Sequence, residues 1–429
     1  MINRFCKEYS ILNTEAFKNK MLNWANQFSI FCFLDNHHYQ SSYNSFECLF
    51  AVDVENSFEL SSHNFLKANT FFKNSNDWLF GHVSFGIKNY FEKLESNHPD
   101  NIQFPELFFF QPKIVFILKD DIVTIQSVDN NCDEIFKSIS QFQQAKSLLQ
   151  NKVKIKSTFT KNEYISIVEK LKKHIQQGDC YEINFCQHFF DDEAIINPLE
   201  VYNSLSSISP NPFNCFYKLT DKYLLCASPE RFIKKQNNKI ISQPIKGTIK
   251  RSVNKIKDEE LKLALSISKK NIAENVMVVD LVRNDFSKIC NSNSVVVDEL
   301  CKVYSFPKVH QLVSTISGEL KKEIQFMDIL KATFPMGSMT GAPKKRVMEL
   351  IEQYEKIERG IFSGTIGYIG PNGNFDFNVV IRSIMYNSSK KYLQYLVGGG
   401  ITFNSNSLDE YDESLLKASA INEVITNLK

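Results

Sequence analysis

The amino-acid sequence predicts an α+β protein on three observations. The first ~130 residues carry short alternating apolar runs, such as 28–34 and 114–118, with the period of strands. Farther along, strand-like runs of mixed spacing are interleaved with long helical patterns, as in layered α+β packing. The length of 429 residues suits two domains or one large two-lobed unit with an ample core.

In chain order, residues 1–150 read as an N-terminal lobe with little visible chemistry, and residues 151–429 as a catalytic region. The Gln-, Lys- and Ser-rich stretch 137–156 is the expected connection. The helix 162–177 opens the second region, with Ile165, Val168, Leu171 and Ile175 on one apolar face. Strands are predicted at 181–187, 223–227, 361–369, 379–385 and 392–397, and long helices at 258–289 and 408–427.

Composition excludes several classes of function. With 43% hydrophobic and 23% charged residues the chain is of soluble globular type. Fifty basic against 48 acidic side chains leave a net charge of +2, too little to attract nucleic acid or a membrane surface, though local charge suffices for a small anion. Ten cysteines without a CxxC pair read as reduced thiols, with no zinc site. The first ten residues lack the apolar core of a signal peptide, and no run approaches the ~20 apolar residues of a membrane span. A cytoplasmic location is expected. The abundance of Phe, Asn and Lys is read as codon bias, without ligand-binding weight.

The chemistry-bearing candidate is Lys246, in Gln243-Pro244-Ile245-Lys246-Gly247-Thr248, where a proline and a Gly-Thr turn would fix its amine in a bend. An ordinary lysine has a pKa of about 10.4, so burial or a nearby cation must lower it before the amine attacks. Glu230, in Ser228-Pro229-Glu230-Arg231-Phe232 after an apolar strand, is a candidate general acid if its surroundings raise its pKa. Ser407-Leu408-Asp409-Glu410 fits a capping box, and Glu410, Glu413 and Lys417 then share one helix face. Just upstream, Gly398-Gly399-Gly400 is expected to form a loop with uncovered amides facing an anion. Glu274 lies beside the apolar stripe Ile272, Val276, Val279 and Leu281. Two carboxylates from separate helices are a common way to hold Mg²⁺, but periodicity alone leaves the pairing of Glu274 with Glu413 open. The run Gly337 to Lys344, with Pro343 in the first helical turn, is read as an anion-binding loop, without the order of a phosphate-binding P-loop. Arg382 is placed as a charged fork within the 379–383 strand.

Taken together, these strings resemble the chorismate-utilising enzymes, over about 161–424. Most specific are Ala273-Glu274-Asn275 followed by Asp280-Leu281-Val282-Arg283-Asn284-Asp285, and Thr340-Gly341-Ala342-Pro343-Lys344. Asp77 to His82 adds a fainter likeness. The resemblance implies a large two-lobed sandwich of mainly antiparallel β-sheets with helices packed outside. It also implies a branch. Lys246 stands where anthranilate synthases carry alanine, Asn275 where they carry histidine, and Glu182 where isochorismate and salicylate synthases place a base lysine. These positions are similar to the aminodeoxychorismate branch, which serves 4-aminobenzoate and folate synthesis.

By that resemblance, Glu274 and Glu413 hold Mg²⁺ on the ring carboxylate of chorismate. Arg382 and the amides of Gly398, Gly399 and Gly400 receive the enolpyruvyl carboxylate, with Gly247, Thr248 and Lys417 also at the substrate. Glu230 protonates the departing C4 hydroxyl while Lys246 attacks C2; ammonia then adds at C4 and expels the lysine. Nearby Mg²⁺ is expected to help keep Lys246 neutral. The chain has no Gly-x-Cys-x-Gly elbow, so ammonia is expected from solution or from a separate glutamine amidotransferase component. Alternatives are amination at C2, as in anthranilate synthase component I, and a non-catalytic chorismate-binding subunit. Three departures are noted: Glu182 where many relatives have Gln, Phe362 for a tyrosine and Asn404 for an aspartate. Some relatives bind tryptophan beside a segment like Asn211-Pro212-Phe213.

Overall fold

The computed structural model describes residues 3–39, 43, 46–60, 65–142 and 151–427. All its strand pairings are antiparallel, and they form one branched path. The path divides at the long strand Leu107–Lys119. One arm runs through Cys48–Glu59, Ile30–Asp35, Phe213–Leu219, Lys222–Ser228, Ser383–Asn387 and Tyr392–Ile401 to Glu182–Asp191. The other runs through Leu79–Val83, Thr365–Ile369, Phe375–Asn378, Arg231–Gln236 and Lys239–Gln243 to Val309–Glu319, which also carries Ile245–Lys250. Strands from before residue 150 thus form the middle of the path, and strands from after it continue both arms outward. Part of the predicted connection, 143–150, lies outside the described residues.

Strand alternation separates two cores. In Ile30–Asp35, Phe31 and Phe33 point into one apolar cluster and Cys32 into another. In Cys48–Glu59, Phe50 and Val52 join the first cluster while Leu49 and Ala51 join the second. A period of two with both faces buried makes such a strand the middle layer between outer helices and the facing sheet. The helices Thr14–Ala25, Cys132–Ser140, Pro198–Ile208 and Ser419–Asn427 cover the first cluster with Met21, Ile135, Leu199 and Val424. The abundant phenylalanines serve this packing: Phe31, Phe50, Phe80, Phe109, Phe116 and Phe216 are fully buried, at about 1.5–3 kcal/mol each. The α+β sandwich with external helices stands as the sequence predicts.

Two long predicted helices are each divided. The first becomes Lys255–Ser266 and Lys269–Ile289, because Ser268 leaves helical geometry to cap the second with its hydroxyl on the Asn271 amide. The second becomes Ser407–Lys417 and Ser419–Asn427. Its N-cap is Asn406 rather than Ser407, and the Asn406 side chain accepts from the amides of Leu408 and Asp409. Among the described residues no helix is long and apolar enough to cross a membrane.

Candidate active site

Lys246 does not sit in a turn. It lies on the strand Ile245–Lys250, where the register against Val309–Glu319 shifts between Ile245 and Thr248. Ile245 faces Val313 and Thr248 faces Gln311, so Lys246 and Gly247 bulge opposite Leu312. A bulge bends the strand and re-aims its side chains, here the Lys246 amine. Gly247 has φ +88, and a side chain there would also crowd Asn271. Asn275 steadies the facing strand: its Nδ2 donates to the Leu312 carbonyl at 3.2 Å, and its Oδ1 accepts from Ser314 Oγ at 2.5 Å. Thr248 is exposed, and its hydroxyl accepts from Gln311 Nε2 at 3.1 Å.

The Lys246 Nζ donates to Glu182 Oε1 at 2.5 Å, with side chains only 10% and 3% exposed. Glu182 opens the strand Glu182–Asp191, so this contact joins the far ends of the two arms of the sheet. Burial pulls the Lys246 pKa down, but Glu182 first, then Glu274 and Glu230, outweigh burial and leave it above the ordinary lysine value. The surrounding side chains by themselves favour the ammonium, because three carboxylates face one cation.

Gly398 to Gly400 form no loop. They belong to the strand Tyr392–Ile401, paired with Cys186, Phe185 and Asn184. Cys186 and Asn184 donate their amides elsewhere, to Glu355 Oε1 and the Thr340 carbonyl. Gly398 and Gly400 therefore sit at non-hydrogen-bonded positions of the ladder, with their amides turned to the opposite edge, while the Gly399 amide faces the neighbouring strand. On that open edge the Lys417 Nζ donates to the Gly398 carbonyl at 2.9 Å. A methyl group at Gly400 would overlap Glu182 Oε1 and stand 2.9 Å from Lys246 Nζ. Gly400→Ala is accordingly expected to lower activity at least about tenfold with little loss of thermal stability, because the flexible ends of two side chains can yield. Turnover assays beside a thermal melt check this.

Glu230 is buried and accepts from Ser338 Oγ at 2.7 Å. Burial pushes its pKa up to about 7, opposed by Ser338, Lys246, the Ile245 amide and Arg382. The loop that carries Ser338 is pinned from outside. Asn184 Nδ2 donates to the Ser338 carbonyl at 3.0 Å and Arg359 Nη1 to the Met339 carbonyl at 2.8 Å. That loop uses the amides of Met339 and Thr340 on its own carbonyls, and Lys344 donates to Asp285 at 2.6 Å. It thus holds Ser338 against Glu230, with two of its amides already engaged. Arg382 is also relocated. It lies between the strands Phe375–Asn378 and Ser383–Asn387, with φ +52, not within a strand. Among the described residues none is hydrogen-bonded to its guanidinium, although it acts electrostatically on Glu230. A charged fork without a protein partner is suited to an incoming carboxylate.

The acidic side of the site is built by the helices Lys269–Ile289 and Ser407–Lys417. Gln187 docks the second helix by donating to Ser414 Oγ at 2.7 Å. Glu274 Oε1 is buried with no described hydrogen-bond partner. Burial pushes Glu274 up to about 7, against the pull of Lys246 and Lys270 and with the help of Glu182 and Glu410. The Lys270 ammonium lies 4.0 Å from Glu274 and 3.1 Å from Glu410, a cation between carboxylates of both helices. The buried acid facing Glu274 is therefore Glu410, whose Oε1 accepts from Ser405 and Lys270. Glu413 is exposed at the rim, paired with Lys417 at 2.9 Å and held below its ordinary pKa chiefly by that lysine. Sequence reasoning named Glu410 only as a neighbour of Glu413 on one helix face and passed over Lys270 and Ser338. The spacing of Glu410, Ser414 and Lys417 along one inward stripe was the available signal for the first.

Among the described residues no three His, Cys, Asp or Glu side chains converge as a closed metal site. An orphaned carboxylate oxygen beside a second helix's acids still suits a hard cation that keeps waters or substrate oxygens in its remaining positions.

Against known proteins, residues 30–423 match the family described as chorismate binding enzyme. The chain is 39% identical over 274 residues to aminodeoxychorismate synthase, chloroplastic, of Arabidopsis thaliana, covering 63% of this chain but only 30% of that protein. It is 32% identical over 353 residues to anthranilate synthase component 1 of Saccharolobus solfataricus, covering 81% and 80% of the two. Its fold superimposes on the crystal structure of anthranilate synthase component I from Streptococcus pneumoniae TIGR4 with a TM-score of 0.76 at 24% identity, over 89% of this chain and 95% of that one.

Proposed function

The chain belongs to the chorismate binding enzyme family, and from that premise we propose that it aminates chorismate at C4 to 4-amino-4-deoxychorismate through a covalent Lys246 intermediate. The observation that carries the reading is a buried amine aimed by a strand bulge at the same space as a buried carboxylic acid with a pKa of about 7. An acid half-protonated near neutral pH can turn a departing hydroxyl into water. An amine fixed in place can attack the ring at C2 as that hydroxyl leaves C4. Arg382, with the amides of Gly398 and Gly400, would orient the enolpyruvyl carboxylate. By the family resemblance Glu274 and Glu413 would hold Mg²⁺, with Glu410, engaged by Ser405 and Lys270, beside them. When bound, that ion would supply positive charge against the second carboxylate of the substrate. Ammonia would complete the reaction at C4, from solution or from a separate glutamine amidotransferase component.

Purified protein given chorismate, Mg²⁺ and ammonium is expected to form 4-amino-4-deoxychorismate without added glutaminase, and to stop when a chelator removes the metal. Product identification by chromatography and mass spectrometry decides the matter. Anthranilate as the main product would overturn the assignment in favour of amination at C2.

A further inference from the structure

The Glu182 carboxylate accepts one described hydrogen bond, from Lys246. The contact is bounded on one side by Gly400, where a side chain would displace it, and is nearly closed to solvent. Glu230, Glu274, Glu413 and Cys186 also sense the ammonium, yet among the described residues only Glu182 forms an ion pair with it within 4.0 Å. An ammonium has no lone pair, so a proton must leave Lys246 before its nitrogen can bond to carbon, and the nearest base is already in place.

We propose that Glu182 is the positioning residue for Lys246, holding the amine at the ring and accepting the proton it sheds before attack. This rests on the reading of Lys246 as nucleophile. The proton passes from Nζ to Glu182, leaving an amine and a carboxylic acid. The N–C2 bond forms, the C4–O bond breaks, and the hydroxyl departs as water with the Glu230 proton. Ammonia then bonds to C4, the C2–N bond breaks, and the released amine takes its proton back from Glu182. The ammonium newly formed at C4 gives a proton to Glu230, which restores the acid.

The charged pair and its neutral form contain the same number of protons. Adduct formation in the unaltered protein should therefore not vary with pH through the Lys246 and Glu182 groups. In Glu182→Gln the proton must leave for solvent, so the reactive fraction should climb about tenfold per pH unit below the lysine pKa. The experiment is quenched single turnover with chorismate and Mg²⁺ but no ammonia, at pH 6 to 8.5, with the Lys246 adduct measured by intact mass. Because Glu230 must stay protonated, each profile is taken as a ratio to that of the unaltered protein. Glu182→Gln is expected to be slower by roughly tenfold to a hundredfold at pH 7, with a ratio that recovers as pH rises. Glu182→Asp, which keeps the base one methylene shorter, should be slower with a flat ratio. A flat ratio for Glu182→Gln, or a rising one for Glu182→Asp, overturns the proposal. Absence of any adduct in the unaltered protein instead overturns the nucleophile reading and removes this proposal with it.

Discussion

Lys246→Ala is expected to lower turnover of chorismate with ammonium by about a thousandfold or more while chorismate still binds, because in the proposed mechanism the lost group bonds to the substrate. The variant also strips Glu182 of its cation, and a buried carboxylate without a partner costs about 3–5 kcal/mol if it stays charged. Loss of fold must therefore be separated from loss of chemistry. Adding Glu182→Gln to Lys246→Ala removes the stranded charge, so the double variant should regain thermal stability yet remain inactive. Steady-state assays, calorimetric titration with chorismate and thermal melts of both variants check this. Unchanged turnover in Lys246→Ala would remove the amine from the mechanism.

Glu230→Gln is expected to lower turnover by about a hundredfold to ten-thousandfold, since the amide cannot supply the proton that the proposed mechanism gives to the leaving hydroxyl. The unaltered enzyme should lose activity as pH rises past about 7, where burial no longer keeps Glu230 protonated. Stability carries the same signature. The folded-state pKa lies above the unfolded value near 4.3, so the stabilising contribution is full below that value and is lost as pH rises through about 7. A buried charge then replaces a buried acid, at a cost of about 2–4 kcal/mol above pH 8. Glu230→Gln should therefore raise the melting temperature relative to the unaltered protein at pH 8.5, with the gain vanishing at pH 4. Equal melting shifts at both pH values would show that burial does not perturb this carboxyl.

What could be read in advance divides by the range of the cause. Lys246, Glu230 and Glu274 each stand in a distinctive local string, and the fold brings the three within electrostatic reach of one another. The α+β class was legible because strand and helix periods survive in the apolar pattern. The glycine run misled because three successive glycines favour a loop, and only the distant partners Cys186, Phe185 and Asn184 make it a strand. Glu410 and Glu413 lie three residues apart, and which one turns inward depends on helix rotation, which Gln187 fixes from another strand. The protonation of Lys246 depended on carboxylates from Glu182, Glu274 and Glu230, none of them near it in sequence. Arg382 was taken for a strand residue because its neighbours are β-branched, whereas its left-handed backbone conformation is visible only in the fold.

Because Lys246 and Glu182 close the gap between the two ends of a divided sheet, no contiguous fragment can carry a miniature of this chemistry. The segment from Glu182 to Glu413 holds both of them and the surrounding acids, yet it omits Cys48–Glu59, Leu79–Val83 and Leu107–Lys119, through which the arms are joined. In the proposed mechanism the reacting groups all come from after residue 150, and the strands before it are the scaffold that joins the two arms. Evolutionary shortening of that scaffold would be felt first as loss of catalysis.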